Sequence, residues 1–201
     1  MSVKAPVVRH ALRRGVFHAL VGLAVAVALL LLPRSAVLAA LAGLTAAFLS
    51  FEVARLNIQF LNQLFLRWFA RLLRPKEWAR LTGSSYFLVA CLIAALAFPK
   101  HLTATAILFL SFGDPAATVI GLWKGRTMLG GKSLEGHAAC LAVCCIVAII
   151  AAATWQDLAL PVAIVGAVSA ALFQALPVPL NDNLTILLGS ATIMRLAELA
   201  M

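Results

Sequence analysis

Residues 15–32 read GVFHALVGLAVAVALLLL, eighteen residues without a Lys, Arg, Asp or Glu. That is close to the roughly 20 apolar residues that carry a helix across a bilayer. A cleaved export signal has a shorter apolar core of about 7–15 residues. The run is therefore expected to stay as a first membrane helix, although Arg13 and Arg14 stand before it and Ala39-Ala40 after it. Further apolar runs follow at 35–51, 84–98, 102–123, 137–155, 158–176 and 184–201, punctuated by Pro33, Gly83, Pro99, Gly130-Gly131, Asp157, Pro177 and Pro179. The expected fold is an all-α polytopic transmembrane bundle of about seven helices in a single membrane domain, 1–201. The run 84–98 is the short one.

Composition agrees. Hydrophobic residues make up 64% of the 201 residues, against about 45–50% in an ordinary soluble domain. The mean hydropathy is +1.04. A soluble fold of this size lacks the interior to hide that excess. Cys91, Cys140, Cys144 and Cys145 lie in apolar runs without zinc-finger spacing, and are expected as small core residues.

The stretch 55–74 differs. Arg55, Gln59, Gln63, Arg67 and Arg71 recur every four residues, with Leu56, Phe60, Leu64, Phe65 and Trp68 between them. This spacing predicts an amphipathic helix over 55–74 in the plane of the membrane surface, ended by Pro75. Trp68, Trp78 and Trp123 are expected at the interface.

Charge orients the bundle. The net charge is +9. Basic residues crowd the N-terminus (Lys4, Arg9, Arg13, Arg14), the 55–80 connection and the 124–132 connection, while only Arg34 and Lys100 mark the other side. The positive-inside bias puts these three segments, and the N-terminus, in the cytoplasm, and the C-terminus outside. The basic excess thus serves topology, anionic headgroups or an anionic substrate rather than nucleic acid. Arg195, deep in the last run, needs a partner or must reach outward.

With that topology, Glu52, Asp114, Glu135 and Asp182 converge on the cytoplasmic end, which predicts one polar cavity open to the cytosol. Asp114 lies inside an apolar run beside Pro115. A proline there removes a backbone donor and opens the helix, and irregular backbone at membrane depth lines cavities. Downstream come Gly121, Lys124, Gly125, Arg126, Gly131, Lys132 and Ser133. The glycines allow backbone to approach a ligand closely. Lys124, Arg126 and Lys132 supply charge for phosphates, and the helix start after Lys132 adds an anion site. Asp114 and Glu135 are hard oxygen ligands suited to Mg²⁺. Glu135 falls at the wrong offset from Ser133 for a capping box, which favours a functional role. His18 is a candidate phosphate contact or a structural histidine. Glu52 and Arg55, one turn apart, can pair with each other.

At these residues the sequence resembles the CTP-dependent lipid-alcohol kinases: dolichol kinase, phytol kinase and the CTP-using diacylglycerol kinase. The resemblance rests on Gly113-Asp114-x-x-Ala117, Gly121, Gly125 and Lys132-Ser133-x-Glu135-Gly136. Arg14-x-x-x-His18-x-x-x-Gly22, Thr82-Gly83-Ser84-Ser85-Tyr86 and Asn181-Asp182-Asn183-Leu184-Thr185 extend it towards both ends. It implies CTP as phosphoryl donor, Mg²⁺ held by Asp114, Asp182 and Glu135, and a membrane lipid alcohol as acceptor. Asn181 stands where the family commonly has an aspartate, which leaves Asp182 to bind metal alone in that motif. The glycine–aspartate and lysine–glutamate elements also resemble phosphatidate cytidylyltransferase, but that enzyme's C-terminal Lys-Asp and Asp-Arg-x-Asp elements are missing. A small transporter lined by Asp114 and Arg195 is the non-enzymatic alternative.

Overall fold

A computed structural model describes residues 4–129, 132–177 and 180–201. Its α-helices are α1 (Lys4–Leu31), α2 (Arg34–Asn57), α3 (Gln59–Phe69), α4 (Gly83–Ala97), α5 (Lys100–Leu108), α6 (Asp114–Lys124), α7 (Leu134–Thr154), α8 (Leu160–Ala175) and α9 (Asp182–Leu199). The exception to the expected all-α fold is a pair of two-residue antiparallel strands, β1 (Met128–Leu129) and β2 (Lys132–Ser133), in register Met128 with Ser133. Among the described residues, four helical stretches are long and apolar enough to cross a bilayer: Ala5–Leu31, Arg34–Asn57, Lys100–Lys124 and Leu134–Thr154. α4 and α8 are apolar but shorter, at 15 and 16 residues. At 1.5 Å per residue they rise only about 22–24 Å, less than the roughly 30 Å hydrocarbon layer.

The stretch Lys100–Lys124 is the axis of the molecule. It is continuous through α5, a π-helical turn at Phe109–Gly113, and α6. α1, α4, α7, α8 and α9 all pack against α5, which leaves Leu102, Ile107, Phe109 and Leu110 without exposure. α1 comes closest along two glycines. A Cβ on Gly22 would fall 1.8 Å from Ser111 Oγ, and one on Gly15 would fall 2.9 Å from Pro115 Cβ. Small residues at such a seam let helix backbones approach, the usual device where lipid gives no hydrophobic drive between helices. Outside, Leu20, Leu31, Ile146, Ile150, Leu172 and Leu196 are exposed. An apolar exterior around an apolar core suits lipid, not water.

Hydrogen bonds fix which helix ends lie together. At one end, His10 Nε2 meets the Leu73 carbonyl (3.2 Å), Thr82 N–H donates to Glu52 (2.9 Å), Asn183 Nδ2 donates to the Gly83 carbonyl (2.7 Å), and Lys132 reaches Asp182 (3.2 Å). At the other, Arg34 donates to the Ala95 carbonyl (2.9 Å), and His101 Nε2 lies 2.7 Å from Glu198. Arg195 finds its partner in the same Glu198. Glu52, Lys132 and Asp182 thus gather at one end, as the alternation of helix directions requires.

The helix expected over 55–74 is shorter and starts later. α2 runs on to Asn57, Ile58 is extended, and α3 covers only Gln59–Phe69, followed by a 3-10 turn at Ala70–Leu72. Arg55 therefore belongs to α2 and is wholly buried, not part of a basic surface. The cause is Glu52, three residues earlier, which takes Arg55 Nε at 2.8 Å and Nη2 at 3.0 Å. Pro75 does not end α3 but opens a second 3-10 turn, Pro75–Ala79. Phe60 and Trp68 on α3 remain 70% and 74% exposed, as an interfacial surface needs.

Candidate functional site

Two cavities meet at the polar end. The larger, about 350 Å³, has an aromatic side made by Phe17, Phe48, Phe51, Phe65 and Phe69, from α1, α2 and α3. The smaller, about 260 Å³, is lined by Gly121, Lys132, Ser133, Gly136, His137 and Gln174. Arg74, Asp114, Thr118 and Asp182 line both, so they form the wall between an apolar and a polar compartment.

Local structure explains how each wall residue gets there. The π-turn Phe109–Gly113 widens the helix just before Asp114, and Pro115 takes the first turn of α6. Proline is tolerated there because the widened turn before it interrupts the regular ladder, in which its ring and its missing N–H would be costly. The helix is therefore not broken at Pro115, as expected from sequence; it is re-registered one turn earlier by a π-bulge, a feature common at functional sites. Asp182 opens α9. Asn181 caps that helix by accepting the Asn183 N–H at 3.0 Å. Asparagine caps as well as aspartate, so the residue that departs from the family pattern keeps the local fold. Asn181 and Asn183 both line the larger cavity.

In the smaller cavity, Ser133 caps α7 by accepting the Gly136 N–H at 3.1 Å. This presents the start of α7 to the cavity, where backbone N–H groups and the helix dipole favour an anion. Lys132 Nζ donates to Asp182 Oδ1 at 3.2 Å and to the Gln174 carbonyl. His137 Nδ1 pairs with Gln174 Oε1 at 2.7 Å, which leaves its Nε2 buried with no partner among the described residues. His18, in the larger cavity, packs edge-on against Phe87 and likewise keeps a buried Nε2 with no partner among the described residues.

The structure brings Asp114, Lys132, Ser133, Gly121, Asp182, His18, Asn181 and Asn183 to the cavities. It does not bring the other candidates. Glu135 lines neither cavity; its Oε1 accepts the Thr127 N–H at 3.3 Å, which ties down the hairpin and supplies the structural role that the capping offset seemed to deny it. Lys124 lies over the Trp123 ring, 4.5 Å from its centroid, and Arg126 is exposed. Gly125 packs against Ser133 and the Gly121 carbonyl, where a Cβ would not fit. Glu52 and Arg55 pair with each other and line neither cavity. Gly131 lies outside the described residues. Arg74, Thr118, His137 and Gln174 are the site residues that sequence reading missed. Arg74 read as one more topological charge, and no motif marks the others.

Among the described residues no three His, Cys, Asp or Glu side chains gather as a ready metal cluster. Mg²⁺ rarely needs one: it takes one or two carboxylates and completes its shell with water and substrate phosphates. Asp114 and Asp182 are the two carboxylates on the wall open to the smaller cavity, and are the residues that could hold such an ion.

No protein-family model and no solved structure matches the chain. Over 110 residues it is 29% identical to an uncharacterized protein of Rickettsia prowazekii, covering 53% of this chain and 54% of that protein. Over 95 residues it is 30% identical to CTP-dependent diacylglycerol kinase 1 of Saccharomyces cerevisiae, covering 46% of this chain and 33% of that protein. The chain thus spans about half and about a third of these curated relatives. Part of it is similar to part of a CTP-dependent lipid kinase.

Proposed function

We propose that the chain is a CTP-dependent kinase of a membrane lipid alcohol, working at the cytoplasmic face of a multi-pass membrane bundle. The observation that carries this reading is the pair of cavities, one aromatic and one polar, the polar one holding Lys132 and the start of α7, divided by a wall that holds Asp114 and Asp182. The partial similarity to a CTP-dependent diacylglycerol kinase supports it, and the choice of CTP rests on that similarity and on the motifs.

The triphosphate lies in the smaller cavity, its phosphates on Lys132 and the start of α7. The alcohol lies in the larger one, its chain along the phenylalanines and its hydroxyl at the wall. The hydroxyl oxygen forms a bond to the γ-phosphorus, and the bond from that phosphorus to the β–γ bridging oxygen breaks. The nucleoside diphosphate leaves with the electron pair, and the hydroxyl proton passes to water. Asp114 and Asp182 would hold Mg²⁺, which neutralises charge on the phosphates. The remaining contribution of the protein is positioning and fixed charge, the main sources of catalysis in phosphoryl transfer.

Purified protein given γ-labelled CTP, Mg²⁺ and a mixture of lipid alcohols and lipid phosphates should place label in lipid. Label in pyrophosphate would instead indicate nucleotidyl transfer, and unchanged CTP would sink both enzymatic readings. Topology is tested separately. With about seven spans and the basic end in the cytoplasm, a C-terminal reporter active only in the cytoplasm should stay silent. Strong cytoplasmic signal would mean that one of the short helices, α4 or α8, does not cross.

A further inference from the structure

Two arginines of the larger cavity have no part in the reading above. Arg14 comes from α1, and Arg74 from the turn that follows α3, yet both line the same space. Each is half-buried. Among the described residues neither guanidinium donates a hydrogen bond to a protein group, whereas the buried Arg55 donates to Glu52, Asn62 and the carbonyls of Glu77, Trp78 and Arg80. Each unfilled fork carries five N–H donors.

Their convergence is built into the fold. Arg74 N–H donates to Glu77 Oε2 at 2.8 Å, and the Glu77 N–H returns to the Arg74 carbonyl at 2.9 Å. The other Glu77 oxygen takes the Gly83 N–H at 3.1 Å. Glu77 is buried, and both its oxygens serve backbone, so it positions Arg74 without occupying its side chain. Arg14 precedes Gly15, whose close approach to Pro115 fixes this turn of α1 against α6. Arg14 lies in the repulsive field of Arg74, and Asp114 and Glu77 are the acidic groups that oppose it there. Like charges held in partial burial repel, and the carboxylates of Glu77, Asp114 and Asp182 on the same cavity offset that repulsion, yet among the described residues none of them accepts a hydrogen bond from either guanidinium. A phosphate supplies those acceptors, and the planar guanidinium fork matches its oxygens in pairs. In the same cavity the phenylalanines offer an apolar bed for a chain.

Resting on the kinase reading, we infer that Arg14 and Arg74 form an anion subsite for the phosphate of a lipid phosphomonoester, the product of the transfer, with its chain along Phe17, Phe48, Phe51, Phe65 and Phe69. Arg74, which faces both cavities, meets the phosphoryl group from the donor side as well. The arrangement gives the phosphorylated lipid a hold that the alcohol lacks.

The test is equilibrium binding to the purified full chain in detergent, without nucleotide or Mg²⁺, using decyl phosphate, decanol and inorganic phosphate as probes. Decyl phosphate should bind at least about ten-fold more tightly than either of the others, since charge-assisted hydrogen bonds of this kind each change affinity by about that factor or more. Arg14→Gln and Arg74→Gln should each weaken decyl phosphate about ten-fold and leave decanol unchanged, which also shows that the cavity is intact. Arg74→Lys keeps the charge but not the fork, and should fall between. Decyl phosphate affinities within about two-fold of wild type in both glutamine variants and the lysine variant would overturn the subsite. Inorganic phosphate binding as tightly as decyl phosphate would overturn its assignment to a lipid. The labelled-CTP assay separates the two claims. Arginine-dependent binding without label transfer removes the kinase reading, whereas label transfer with arginine-independent binding removes only the subsite.

Discussion

Asp114→Asn is expected to lower phosphoryl transfer by at least about 10³-fold, the lower range for losing a charge-stabilising group at such a centre. An ionised carboxylate in an apolar segment costs about 2.5–3.5 kcal/mol on insertion scales. This one is spared part of that cost by lying half-buried on a wall between two cavities. Among the described residues it makes no hydrogen bond that holds the fold together, so its replacement removes a charge and no scaffold contact. Asparagine keeps size and shape. The variant should therefore insert and unfold like the wild type, or slightly later, while losing the thermal stabilisation expected of the wild type with CTP and Mg²⁺ by mass action. Labelled-CTP turnover and a melting curve with and without ligand measure both effects. Full turnover together with full ligand stabilisation would show that Asp114 is no metal ligand.

The largest effect on stability is expected at Arg55. Arg55 and Glu52 have no exposed side-chain surface. The guanidinium joins α2 to α3 through Asn62 Oδ1 (2.9 Å), and to the 77–80 turn through the Arg80 carbonyl (2.8 Å), and it sits 4.8 Å from the centre of the Phe65 ring. Arg55→Ala leaves the Glu52 carboxylate buried with the Thr82 N–H as its remaining hydrogen-bond donor. Breaking a buried pair by removing one partner typically costs about 3–5 kcal/mol. Unfolding in detergent, followed by the fluorescence of the nearby Trp68 and Trp78, should report a loss of that size. Glu52→Gln combined with Arg55→Met should recover much of it, because no uncompensated charge remains. A loss below about 1 kcal/mol in the single variant would class the pair with exposed surface bridges.

The cap at Ser133 follows from short-range chemistry: a serine hydroxyl satisfies an orphan N–H three residues on. Asn181 caps α9 by the same chemistry two residues on. The long apolar runs reappear as helices because backbone polar groups must be satisfied within the segment when lipid is the solvent. That Lys132 and Asp182 lie at the same end is also implied by sequence, since helices that alternate in direction return every second connection to that end; their contact is seen in the structure. These are properties of composition, spacing and chain direction, and they need no knowledge of which side chain faces which.

Direction is what only the tertiary structure decided. The hairpin of β1 and β2 turns Glu135 towards the Thr127 N–H and leaves Lys124 and Arg126 outside, although a linear reading gives all three the same claim as Lys132. The four-residue period that starts at Arg55 is cut by a helix boundary at Ile58, which puts that arginine into the interior, where Glu52 waits one turn back. Arg74 reaches the wall beside a contact distant in sequence, His10 with Leu73, which no local pattern encodes. A 3.6-residue repeat determines that a face exists. Which neighbour covers that face is set by long-range packing, and at this site packing decides whether a cation lines a cavity or braces the fold.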